Sequence, residues 1–144
     1  SMETREIRTL EALNTLGKEI ITRCTPKDRA QVLALSGDLG VGKTAFVKLL
    51  AKQLGVTEEV TSPTFVVMKS YAISKHPFFR TLTHIDAYRI ESDDEMRVLG
   101  FRELLTDPSR LIVIEWPERI PRVIPEDATR IDFVLQGEIR MVTF

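Results

Sequence analysis

The run Gly37-Asp38-Leu39-Gly40-Val41-Gly42-Lys43-Thr44 sets two glycines five positions apart and follows the second with a lysine and a threonine. That spacing suits a phosphate chain. Glycines let the backbone fold back so that several N–H groups converge on phosphate oxygens at the start of a helix. Lys43 then reaches the terminal phosphates, and the Thr44 hydroxyl faces a magnesium ion that bridges two of them. Binding of ATP or GTP with Mg2+ is the expected chemistry. The bare pattern arises by chance in roughly one chain in 200 of ordinary composition and this length, so its flanks matter. Residues 31–36 read as a short buried strand, and residues 45–54 carry apolar side chains at helical spacing, closed by Gly55.

Hydrolysis or transfer needs an acid that holds magnesium and orders the nucleophile. Glu115 is the candidate, because it ends the apolar run Leu111-Ile112-Val113-Ile114, a strand that can lie beside the one feeding the phosphate loop. Asp86 lies in His84-Ile85-Asp86-Ala87-Tyr88-Arg89, where alternation sets His84, Asp86 and Tyr88 on one face. Catalysis, a salt bridge with Arg89 and a turn role all remain open for it. Thr64, after Ser62-Pro63, is either a nucleotide-sensing hydroxyl or ordinary turn chemistry, and Trp116 beside Pro117 has a packing role as its plain reading. His76 and His84 lack companions at metal-ligand spacing, so a transition-metal site is not expected. No nucleophile elbow is present.

The elements that position these groups follow from periodicity. Leu10, Leu13, Gly17, Ile20 and Ile21 recur on one helix face, with Thr9 as its cap after a short N-terminal strand. Residues 64–73 and 81–90 are two β-rich runs around a Ser-Lys-His-Pro turn, predicting an antiparallel pair. Residues 93–105 predict two short helical pieces bent at Gly100, and residues 130–135 and 138–144 a terminal hairpin around Gln136-Gly137. The sum is one α/β domain over residues 1–144, three-layered and P-loop NTPase-like, with a mixed, mostly parallel sheet.

At 144 residues and a net charge of −1, with acids and bases interspersed, the chain has no basic stripe for holding nucleic acid by itself. No apolar run approaches the ~20 residues of a membrane span, and no signal peptide opens the chain, so a soluble cytoplasmic protein is expected. Cys24 reads as a reduced, packed thiol. Ser1 ahead of Met2 reads as a remnant of tag removal.

Four blocks, 37–44, Thr61-Ser62-Pro63-Thr64-Phe65, 84–89 and Ile114-Glu115-Trp116-Pro117-Glu118, resemble the TsaE family in order and approximate spacing. The resemblance covers the chain from the N-terminal helix to the Trp-Pro-Glu segment and is weak over the final hairpin. It implies a small ATPase that works with TsaD and TsaB in making threonylcarbamoyladenosine, a tRNA modification. It further implies ATP and Mg2+ held by the loop from Gly37 to Ala45, with Thr44 and Glu115 on the metal. Lys43, Asp86 and Glu115 would serve hydrolysis, Trp116 and Thr64 would lie at the nucleotide, and Thr9 would approach it. Val41 and Ala45 depart from the residues common at those loop positions, and neither departure removes a phosphate ligand. A small-molecule kinase with Arg119 and Arg122 in a lid is the rival enzyme. A GTP-operated switch is the rival binding module, but its Asn-Lys-x-Asp guanine reader is absent.

Overall fold

A computed structural model describes residues 2–63 and 65–144; the expectation for Thr64 falls outside the described residues. In chain order the strands are β1 (Thr4–Ile7), β2 (Gln31–Ser36), β3 (Met68–Ala72), β4 (Thr81–Asp86), β5 (Arg110–Glu115), β6 (Thr129–Gln136) and β7 (Ile139–Thr143). The helices are α1 (Leu10–Arg23), α2 (Lys43–Gln53), α3 (Asp93–Val98) and α4 (Phe101–Leu104). The strands make one sheet in the order β1-β7-β6-β2-β5-β4-β3. Its centre, β6-β2-β5-β4, is parallel, and antiparallel pairs close both flanks.

Central strands buried on both faces must be apolar on both, which is why β5 is uninterruptedly apolar between its polar ends, Arg110 and Glu115. Leu33, Leu35, Leu111 and Val113 face one core, shared with Leu13, Leu16 and Ile20 of α1 and with Phe46, Val47 and Leu50 of α2. Val32, Ala34, Ile112 and Ile114 face the other, shared with Met96 of α3 and Phe101 of α4. The expected three layers are present, and Gly100, at φ +77, makes the bend between α3 and α4.

Three local expectations are corrected. Leu10 is 63% exposed, and the buried face of α1 runs through Leu13, Leu16, Gly17 and Ile20, because Leu10 opens the first turn on the solvent side. The first β-rich run becomes strand only at Met68, since Val67 stands at φ +68 and its N–H donates to Pro63 O, which turns the chain. The second run ends at Asp86, where the Tyr88 N–H donates to Asp86 Oδ1 at 3.0 Å. Alternation therefore does not extend to Tyr88.

Thr9 caps α1 as expected: its Oγ1 accepts from the Ala12 N–H at 3.0 Å. Thr9→Ala is expected to cost about 1 kcal/mol, a fall of about 4 °C in Tm for a chain of this size. Thermal melting with parallel nucleotide titration checks this. Lost nucleotide affinity at unchanged Tm would move Thr9 from the cap to the ligand.

Candidate nucleotide site

Three neighbouring parallel strands bring the chemical groups to one sheet edge. β2 runs into the glycine-rich loop, β5 ends in Glu115 and β4 ends in Asp86. Leu35 is opposite Glu115, and Glu115 is opposite Asp86. Side chains alternate between faces along a strand, so Glu115 shares the face of Leu111 and Val113, and Asp86 that of Leu82. All three apolar residues belong to the core under α2. Both carboxylates therefore emerge beside the start of that helix.

The start of α2 leaves its backbone donors uncapped. Its N-cap, Gly42, takes φ +107, and the helix has neither a side-chain cap nor an acid in its first turn. α1, in contrast, has the Thr9 cap and Glu11. The first N–H groups of a helix lack internal partners and carry its positive dipole end, so α2 leaves them available. Gly37, at φ +140, comes so near β6 that an added Cβ would stand 2.6 Å from Phe133 O. A bulkier residue would push the loop off the sheet.

Lys43 is buried; its Nζ donates to Gly37 O at 2.5 Å and lies 3.9 Å from the centre of the Trp116 ring. Burial pushes its ammonium pKa down, opposed by Glu115, Glu118, Asp86 and Asp38. Thr44 Oγ1 is 3.4 Å from Glu115 Oε1, and Glu115 Oε2 is 2.6 Å from His84 Nε2. Trp116 is held at φ +60 and packs against Tyr88 in a tilted arrangement with ring centres 4.9 Å apart.

A cleft of about 270 Å³ gathers Leu39, Gly40, Gly42 and Lys43 with Thr44 and Ala45 of the loop and α2. Asp86, Glu115, Trp116 and Ser62 complete its wall. Gly37, Asp38 and Val41 shape the loop from behind; Val41 is part of the core, and Asp38 O accepts from the Val41 N–H. Thr9 is at the cap of α1 and does not line the cleft. Sequence reasoning passed over three residues. Ser62 had a signal, since it stands two residues before Thr64 in the block Thr61-Ser62-Pro63-Thr64-Phe65. His84 had only its parity with Asp86. Arg140 of β7, whose Nε would lie 3.1 Å from a Cβ on Gly42, had none.

The donor set fits a nucleotide polyphosphate with a hard divalent cation: free helix N–H groups and an ammonium for phosphate oxygens, a hydroxyl and a carboxylate for the metal. Among the described residues no three His, Cys, Asp or Glu side chains converge as a metal site of their own. A cation here would draw further ligands from the nucleotide and water.

Residues 7–141 match the family model described as "Threonylcarbamoyl adenosine biosynthesis protein TsaE". The chain belongs to the TsaE family. Relatives of this TsaE-family chain include the tRNA threonylcarbamoyladenosine biosynthesis protein TsaE of Borreliella burgdorferi, 36% identical over 81% of this chain and 82% of that protein. The Bacillus subtilis protein of the same name is 38% identical over 78% of this chain and 68% of its own length. The crystal structure of Bacillus subtilis YdiB superposes with a TM-score of 0.77 at 27% identity, covering 100% of this chain and 84% of that one. The family role is tRNA threonylcarbamoyladenosine biosynthesis. No helix among the described residues is long and apolar enough to cross a membrane.

Proposed function

We propose that this TsaE-family chain binds ATP with Mg2+ in the cleft at the start of α2 and hydrolyses it, as the accessory ATPase of TsaD and TsaB. The observation that carries the reading is the uncapped, acid-free N-terminus of α2, facing Glu115 across 3.4 Å from Thr44. Converging donors stabilise polyphosphate, and the nearby acids serve the reacting end.

In this reading Lys43 exchanges its contact with Gly37 O for the terminal phosphates, where charge develops as the bond breaks. Magnesium, when bound, would neutralise phosphate charge. Thr44 and Glu115 would hold it through their oxygens. Asp86 would accept a hydrogen bond from the attacking water and fix its line of approach. None of these groups reads the base.

The kinase alternative needs its arginines over the phosphates. Arg119 lies over the Tyr88 ring at 5.5 Å, and Arg122 lines a different cleft, with Asp93, Arg97 and Phe101. They do not converge as a lid. Calorimetric titration with ATP, with and without Mg2+, tests the binding step. Saturable binding strengthened by Mg2+ is expected, and absence of binding under both conditions refutes the proposal.

A further inference from the structure

The sheet beneath the phosphate loop carries a buried polar side chain on the face of the two acids, His84, which the proposed reaction leaves without a role. His84 stands in β4, fully buried, with the same parity as Asp86 and one pair further into the sheet, opposite Val113. An apolar residue there would join Leu82 and Val113 in the core. A ring with two polar nitrogens at a fully buried position is retained against its desolvation cost only by a partner.

That partner is Glu115. Nε2 and Glu115 Oε2 are 2.6 Å apart, a separation that requires a hydrogen between a ring nitrogen and a carboxylate oxygen. With Glu115 in the carboxylate form that the metal reading requires, Nε2 is the donor. Nδ1 has no hydrogen-bond partner among the described residues, so Glu115 is the ring's one polar tie there. The other carboxylate oxygen, Oε1, is the one that faces Thr44 Oγ1, at 3.4 Å. The two oxygens are thus divided, one tied back into the sheet and one turned to the cleft.

We infer that His84 is a positioning residue for Glu115, an inference that rests on the metal–nucleotide reading above. A glutamate at a strand end has three side-chain torsions and would sample several orientations if untied. Locked by packing, the His84 ring fixes Oε2, and with it the direction of Oε1. Oε1 and the Thr44 hydroxyl then form a preset pair of oxygen donors for a hydrated divalent cation arriving with the nucleotide. Partners of this kind typically matter by roughly 10–100-fold in metal affinity.

The test uses Mn2+ as the probe, with its affinity for the ADP-loaded chain read from the bound-ion EPR signal. His84→Gln carries an amide to about the place of Nε2, whereas the amide of His84→Asn stops near Nδ1; His84→Leu removes the donor. Asn and Leu are expected to weaken Mn2+ binding about tenfold, and Gln to remain within about threefold of wild type. All variants should bind metal-free ADP alike. If Leu does not fold, the contrast of Gln with Asn decides. Wild-type Mn2+ affinity in folded Asn, or equal loss in Gln and Asn, overturns the role of His84 while leaving the nucleotide site intact. A wild-type chain that takes up no Mn2+ with ADP overturns the metal–nucleotide reading and this inference with it.

Discussion

Lys43→Ala is expected to lower ATP turnover about 1,000-fold, the scale of losing a charged donor aimed at developing transition-state charge. Its fold should survive. The ammonium is buried, and that burial depresses its pKa below the ordinary lysine value. A lysine with a depressed folded-state pKa is a net burden on stability while it is charged. The burden is present at neutral pH and fades as pH rises through the folded-state pKa towards the unfolded one. Removing the charge therefore should not lower Tm by that route, and the costs are the lost hydrogen bond to Gly37 O and the lost packing against Trp116. ADP release by steady-state assay, with thermal melting alongside, checks both halves. Unchanged turnover in a folded variant would remove Lys43 from the reaction.

Asp86→Asn is expected to cut hydrolysis about 100-fold or more while leaving ATP affinity within about threefold. The substitution separates the roles that remained open from sequence. Asp86 Oδ1 accepts the Tyr88 N–H at 3.0 Å, a turn contact that an asparagine oxygen also makes. The turn is kept and the charge is lost. Because Asp86 is opposite Glu115 in the sheet and lines the same cleft, the lost charge acts where a water would be oriented. Equal loss of binding and turnover would make Asp86 a structural residue, and full activity would leave only the turn.

Legibility in the sequence depended on how local each cause is. The glycine-rich loop leading into α2 was readable because its whole pattern lies within eight consecutive residues. Glu115 was readable because it ends an apolar strand, and the parallel pairing of β2 with β5 then placed it as expected. Asp86 was half readable: alternation found its face, but not the turn that stops β4 one residue later and takes Tyr88 out of register. His84 was missed because a lone histidine was weighed only as a metal ligand, whereas its partner is a carboxylate 31 residues away. Arg140 reaches Gly42 only because β7 follows β6 on the far side of β2, an order that local pattern does not encode. Leu10 fits the helical period nearly as well as Leu16, and only the N-cap geometry at Thr9 turns its first-turn side chain to solvent.

Mg2+-dependent ATP hydrolysis by the wild-type chain, measured alone and with purified TsaD and TsaB, tests the central claim most directly. ADP production that rises when both partners are present, and is abolished in Lys43→Ala under the same conditions, is the predicted result. Absence of hydrolysis with the partners present, or ADP production that requires a small-molecule phosphate acceptor and ignores TsaD and TsaB, would contradict it.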